Sequence, residues 1–309
     1  MAGLKIVGLG RSMGSKLYTN RDMEKLTETS HTWIKERTGI CQRYFADKDK
    51  KEENLDFALG ASRAAILDGK IDKDSIGVVI VATFTPDYYT PSIACRLAKK
   101  LDLRENIMAL DINAACTGFL YGLEIGKSLL ENRENEYALI VGSEKISDFL
   151  DMEDPKTSVL FGDGAGASVV KVVPTEENPY AFTSGCIADD EVLYCSRADG
   201  KIKMDGRAVY RFAVEIIPKI AVDLGGTEDV EYFVCHQANG KIIENAIKRL
   251  KENPEKFYIN LNNYGNTSAA SIPIALSEMK EKGLLEKGKK VICAGFGAGL
   301  TYGGALLSW

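Results

Sequence analysis

One pattern runs twice through this 309-residue chain. A continuous apolar run, Val78–Ala82, leads through a loop at Thr83–Pro91 into a helix over Ile93–Leu101. Next come an apolar strand, Ile107–Ile112, a break at Asn113-Ala114-Ala115, a second helix carrying Cys116 at its start, and a buried strand, Tyr137–Val141. About 150 residues later the order returns. Tyr232–Cys235 reads as a strand, Lys241–Leu250 as a helix and Phe257–Leu261 as a short strand. A polar turn, Asn262–Ser268, then opens a helix through Met279, and Val291–Ala294 matches Tyr137–Val141. Short, wholly apolar runs between helices are strands covered on both faces, which makes the chain α/β. No Pro/Ser-rich linker or charge block separates the copies, so one compact unit with two equivalent lobes is expected.

The remaining elements fit around this duplication. Leu4–Leu9 reads as a first strand, and Trp33–Arg37 as a helix stopped by a glycine cap at Gly39. Asn54–Leu67 has a helical apolar face made by Leu55, Ala58, Leu59, Ala65 and Ile66. Pro273 is tolerable in its helix only if it lies in the first turn. The Cys116 helix carries glycines at 118, 122 and 126, a flat stripe echoed by Ser271 and Ala275 in the second copy. Each mid-helix glycine costs roughly 0.8–1 kcal/mol, so close packing must compensate. The expectation is two small-faced helices packed on each other between two sheets. Under the offset, Cys116 and Asn266 are near-equivalent.

Composition excludes several functions. A net charge of −5 argues against a general nucleic-acid binder. The N-terminal MAGLKIVGLG lacks signal-peptide character, and no apolar run approaches the roughly 20 residues of a membrane span. Seven cysteines (Cys41, Cys95, Cys116, Cys186, Cys195, Cys235 and Cys293) form no C-x-x-C pair, a pattern of reduced thiols in the cytoplasm. With His31 and His236 as the only histidines, no histidine-rich metal site is available. A dinucleotide fold is disfavoured because Gly8, Gly10 and Gly14 miss the G-x-G-x-x-G spacing. Gly162–Gly166 lacks the context of a phosphate loop and reads as a structural turn.

Three polar residues stand at the carboxyl ends of buried strands, where open α/β sheets bind ligands: Cys116, His236 and Asn266. Singly, each has a plain alternative: a buried inert thiol, a histidine bonded to a carbonyl, an Asx-turn. Together, a cysteine at the positive end of a helix, an imidazole and a carboxamide suit acyl transfer through a thioester. Imidazole and carboxamide N–H groups can hold a negatively charged oxygen.

The chain resembles the beta-ketoacyl-acyl carrier protein synthase III family of the thiolase superfamily. The resemblance runs from Trp33-Ile34 and Arg37-Thr38-Gly39-Ile40 through AACTGF, FGDGAGA and HQAN to YGNTSAASIPIAL and GFGAGLTYGGALL. It implies a thiolase-like fold of two duplicated halves in a layered α-β-α-β-α core, residues 1–170 carrying the cysteine and 171–309 the histidine and asparagine. It implies a Cys116–His236–Asn266 triad, with acylation of Cys116 by acyl-CoA and decarboxylating condensation with malonyl-acyl carrier protein. The oxyanion hole would be the backbone N–H groups of Cys116 and Ala298. CoA would meet Thr29, Trp33, Arg37, Gly206, Ala238 and Asn239; the carrier protein would dock on Arg211, Lys241, Lys248 and Arg249. Thr90, Phe161 and Met204 would line the acyl pocket. A cytoplasmic homodimer with no metal or cofactor is implied. A Cys–His–His site would need His31, which sits beside Trp33 on a charged helix.

Two positions depart from the family pattern. Pro155-Lys156 follows Asp154 where an arginine is frequent, and Thr90 stands where a large residue usually precedes Pro91-Ser92. Acetyl and longer or branched primers therefore both stay open. So do acyl transfer to another acceptor without decarboxylation and a non-catalytic carrier-binding role.

Overall fold

A computed structural model describes residues 2–134 and 136–309. Its first sheet has five strands, in the order Ala2–Met13, Gly164–Pro174, Tyr137–Glu144, Ile76–Ala82 and Met108–Ile112. The second has four, Tyr180–Asp189, Gly299–Ser308, Lys290–Gly297 and Tyr232–Cys235. Laid side by side the two orders coincide, and so do the pairing senses. Ile76–Ala82 runs parallel to Tyr137–Glu144, as Tyr232–Cys235 does to Lys290–Gly297, and the next two pairings in each sheet are antiparallel.

The second sheet lacks a full fifth strand. Of the strand expected at Phe257–Leu261, only a parallel bridge from Phe257 to Phe233 forms, with the Tyr258 N–H donating to the Phe233 carbonyl at 3.0 Å. The N–H groups of Asn260 and Leu261 turn instead to Gln237 Oε1, at 3.0 and 3.2 Å, and the chain enters a short helix, Leu261–Tyr264. A side-chain acceptor has taken the donors a ladder would need.

Alternation along the strands builds three apolar cores. Val79, Val81, Leu139 and Val141 point outward against the helices Asn54–Gly69 and Ile93–Leu101. Val78, Ile80 and Ile140 point inward and meet Val234, Val291 and Cys293 of the second sheet around the helices Gly118–Leu130 and Ser271–Glu281. Phe233, Cys235, Ile292 and Phe296 face out against Gly206–Asp223 and Gly240–Leu250. The result is the layered α-β-α-β-α arrangement. Among the described residues no helix is long and apolar enough to cross a membrane.

Two further expectations need correction. The glycine stripe does not face the partner helix. A Cβ at Gly118 would lie 2.8 Å from Ala82 Cβ, and at Gly122 and Gly126 it would lie 2.9 and 2.7 Å from Ile140, so the stripe lets the helix lie close on the first sheet. Gly162–Gly166 is only partly a turn, since Gly164 starts the Gly164–Pro174 strand, paired on both sides. The hairpin Leu193–Cys195 with Ile202–Met204 and the long helix Gly206–Asp223 were not anticipated; the latter carries Pro218 in its interior. Pro273 does sit in the first turn of Ser271–Glu281, and Gly39 ends His31–Thr38 at φ 82°.

Candidate active site

A cavity of about 2130 Å³ opens between the halves, and Cys116, His236 and Asn266 all line it. Cys116 lies in a tight turn, Ala115–Thr117, that runs directly into Gly118–Leu130. The turn is held by the Asn113 Oδ1 accepting from the Ala115 N–H at 3.2 Å and by Thr117 Oγ1 donating to the Ala114 carbonyl at 2.6 Å. Opposite, Gly297 comes so near that a Cβ there would sit 2.9 Å from Cys116 N and 3.0 Å from its Cβ. Only glycine leaves Cys116 its place. Ala298, next in the chain, also lines the cavity.

His236 follows the end of the Tyr232–Cys235 strand and is 2% exposed. Its Nδ1 lies 2.7 Å from Ser271 Oγ, which also accepts the Gln237 N–H at 3.4 Å. In the tautomer in which Ser271 Oγ donates to Nδ1, the imidazole hydrogen stands on Nε2. Asn266 is pinned by its backbone, donating to the Leu160 carbonyl at 2.8 Å and accepting from the Gly162 N–H at 2.9 Å. Its Oδ1 accepts the Ser268 N–H at 2.8 Å. That fixes the carboxamide orientation and leaves the Nδ2 hydrogens for a ligand.

Burial sets the charge state. It pushes the Cys116 thiol up to about 12; the nearby Ser268 hydroxyl works against the rise and the Glu144 carboxyl adds to it. The thiolate expected from the helix end is therefore not the resting form; desolvation outweighs the terminal N–H groups. Burial likewise pushes His236 down to about 3. The resting pair is a neutral thiol with a neutral imidazole. Among the described residues no three His, Cys, Asp or Glu side chains gather as a metal site.

Most of the other expected residues reach the cavity. Trp33, 43% exposed, and Arg37 line it from the helix His31–Thr38, close to Ala238 and Asn239 where Gly240–Leu250 begins. Gly206, Phe161, Met204 and Thr90 line it as well, and so do Lys156 and Arg207. Thr29 is not among the lining residues, and its hydroxyl is buried without a partner. Arg211, Lys241, Lys248 and Arg249 lie outside the cavity on exposed helix positions, Lys241 paired with Glu244 at 3.1 Å. His31 is exposed and lines no part of it.

Sequence reasoning passed over Ser271, Ser268 and Glu144. The serines lie inside the GNTSAAS motif, where Ser271 reads only as a small residue on the face of its helix. Glu144 left a clearer sign, a carboxylate closing the otherwise apolar run Tyr137–Ser143.

Comparison with known proteins places this architecture. Residues 110–189 match the family model 3-oxoacyl-(acyl-carrier-protein) synthase III, and residues 225–309 match the model of its C-terminal part. The beta-ketoacyl-(acyl-carrier-protein) synthase III of Clostridium acetobutylicum is 41% identical over 331 aligned positions, covering 100% of this chain and 99% of the relative. The crystal structure of 3-oxoacyl-(acyl-carrier-protein) synthase III from Aquifex aeolicus VF5 superposes with a TM-score of 0.94 at 36% identity, covering 99% of this chain and 100% of that one. The priming beta-ketosynthase of the R1128 polyketide pathway gives 0.91 at 31% identity, with 99% and 96% covered. Two sheets of matching order, a cavity between the halves and full-length similarity agree: this chain belongs to the 3-oxoacyl-(acyl-carrier-protein) synthase III family of thiolase-fold condensing acyltransferases.

Proposed function

We propose that the chain condenses an acyl-CoA primer with malonyl-acyl carrier protein to a 3-oxoacyl-acyl carrier protein, starting fatty acid synthesis. Cys116 loses its proton as it attacks the primer carbonyl, the CoA sulfur leaves and takes a proton, and the acyl group stays on Sγ. The backbone N–H groups of Cys116 and Ala298 hold the oxyanion. Malonyl-acyl carrier protein then binds with its thioester oxygen toward His236 Nε2–H and Asn266 Nδ2–H. The bond to the carboxylate breaks, CO2 leaves, and the electron pair is held as an enolate by those two donors. The enolate carbon attacks the acyl carbonyl, and the Cys116 sulfur departs as a thiolate that takes a proton from solvent, restoring the resting thiol.

One observation carries this reading. His236 and Asn266 share a cavity with Cys116, and their remaining polar atoms, Nδ1 and Oδ1, are already bonded to Ser271 and Ser268. Two neutral N–H donors beside a thiol suit a developing enolate and offer little as a base for hydrolysis.

Around this centre we assign Trp33, Arg37, Gly206, Ala238 and Asn239 to CoA, together with Thr29, which does not line the cavity. Arg211, Lys241, Lys248 and Arg249 form the carrier docking face. Thr90, Phe161 and Met204 bound the acyl pocket, and no metal or cofactor takes part. Residues 1–170 and 171–309 are taken as the duplicated halves of the chain, a boundary that falls inside the Gly164–Pro174 strand of the first sheet, and the chain as a cytoplasmic homodimer. Met108–Ile112, an edge strand with Met108 40% exposed, is the element we assign to the partner.

Purified protein given acyl-CoA and malonyl-acyl carrier protein should release CO2 and form the ketoacyl product. Intact-protein mass should show acylated wild type and bare Cys116→Ser. A Cys116→Ser protein acylated as well as wild type sinks the nucleophile. Product that forms at an unchanged rate without malonyl-acyl carrier protein means transfer to another acceptor instead.

A further inference from the structure

A carboxylic acid stands behind the nucleophile with no part in these steps. Glu144 closes the Tyr137–Glu144 strand and is wholly buried. Its Oε2 accepts from Thr85 Oγ1 at 2.6 Å, Thr83 Oγ1 at 3.1 Å and the Phe84 N–H at 3.2 Å. Its Oε1 accepts from Ser268 Oγ at 3.1 Å. Ser268 is the junction. Its turn packs against the Ala115–Thr117 turn that carries Cys116, and its N–H holds Asn266 Oδ1.

The other arm reaches the cavity wall. Thr83 and Phe84 line the cavity at the start of the loop that continues to Thr90. Asp87 in the same loop accepts the Asn54 and Leu55 N–H groups at 2.7 and 3.1 Å, anchoring it to the helix Asn54–Gly69. A buried acid is costly, and an apolar residue of similar volume would serve the fold as well or better. Retaining one that ties together two separate segments beside Cys116 points to a use in the site.

We infer that Glu144 is a positioning residue. Through Ser268 it sets the Cys116 thiol and the Asn266 carboxamide, and through Thr83 and Thr85 it sets the wall beside them. The inference rests on the roles given to Cys116 and Asn266 above. Around the carboxyl, the Thr83–Thr85 loop and the Ser268 turn present only hydroxyls and N–H groups. The titratable group facing it is Cys116, and the adjacent Lys145 is paired with Asp148 at 3.0 Å.

The test is iodoacetamide alkylation of Cys116, read by peptide mass spectrometry from about pH 7 to about pH 10, in wild type, Glu144→Gln and Ser268→Ala. Above about pH 8, where the Glu144 carboxyl is ionised, replacing it by an uncharged amide should move the Glu144→Gln profile about one pH unit lower. In the Ser268→Ala background the Glu144→Gln substitution should move it much less. Condensation by Glu144→Gln should lose about tenfold in kcat with KM for acyl-CoA unchanged. Ser268→Ala is a safe companion because Ala115, its counterpart, already adopts φ 44° beside 49° at Ser268. If Glu144→Gln fails to fold, an unchanged Ser268→Ala profile and kcat overturn the inference. Profiles and kcat that superimpose on wild type in both variants overturn it also. Alkylation needs no substrate, so a wild type that takes no acyl group from CoA counts against the proposed function and leaves this readout intact.

Discussion

Asn113 and Asn266 make the same turn in the two halves. Each Oδ1 accepts the N–H two residues on, from Ala115 at 3.2 Å and from Ser268 at 2.8 Å, and both of those residues take left-handed backbone. The turn partner of Asn266 is therefore Asn113, and Cys116 matches Ala269, three positions from the near-equivalence read off the sequence. What differs is burial: Asn113 is exposed, Asn266 only 7% exposed. Asn113→Ala and Asn266→Ala each remove one such bond and should each cost about 1 kcal/mol of stability. Asn266→Ala alone should cut condensation by about 10²–10³-fold while Cys116 still acylates. Urea unfolding with CO2 release checks both, and an equal loss of activity in the two variants removes Asn266 from the site.

The resting thiol sets a second expectation. With Cys116 pushed up to about 12, its thiolate fraction rises tenfold per pH unit across the neutral range. In substrate-free protein, alkylation of Cys116 should climb without a plateau from about pH 7 to about pH 10, behind the exposed Cys95 and Cys186. Site-resolved mass spectrometry reads this. A plateau near neutral pH means that the helix end, not burial, governs the thiol.

The repeated strands and helices were legible because each is a short apolar run or an amphipathic period, and the pairing of copies followed from their order. The face presented by the glycine stripe was not. Glycines at every fourth position say that something approaches closely, and both a helix and a sheet of β-branched residues qualify. Phe257–Leu261 failed as a strand because Gln237, distant in sequence, takes its donors. That Cys116, His236 and Asn266 share one cavity was legible from residue type and the duplicated order, although the strand expected before Asn266 is a short helix. Ser268 and Glu144 were not, since their meaning lies in contacts made across 124 residues.

Stability should respond to pH through two buried groups of opposite sign. His236, pushed down to about 3 from 6.5, contributes stability that is lost as pH falls below about 6.5. Glu144, pushed up to about 8 from 4.5 by burial, contributes stability that is lost as pH rises from about 4.5 through about 8. Between about pH 4.5 and 6.5 the two slopes oppose; above that window Glu144 acts alone of the two. Wild type should therefore lose at most about 2 kcal/mol between about pH 6.5 and 8, and Glu144→Gln should lose less. Urea midpoints at the two pH values decide, and parallel declines in both proteins exclude Glu144 as the source.

The glycine stripe yields the most local prediction, because two of its members meet different atoms of one side chain. A Cβ at Gly122 would lie 2.9 Å from Ile140 Cγ2, and a Cβ at Gly126 would lie 2.7 Å from Ile140 Cδ1. Alanine gains roughly 0.8–1 kcal/mol of helix propensity at either position. Cδ1 can swing aside about one bond, whereas Cγ2 moves only if the whole β-branched side chain leaves its rotamer. Gly126→Ala should thus be close to neutral, and Gly122→Ala should destabilise by about 1–2 kcal/mol net. Ile140→Val separates the two cases, since it deletes Cδ1 and keeps Cγ2. In urea double-mutant cycles it should couple favourably with Gly126→Ala and show no such coupling with Gly122→Ala. Equal coupling to both would mean that the helix shifts as a body over the sheet and that Ile140 is not the atom-level limit on its approach.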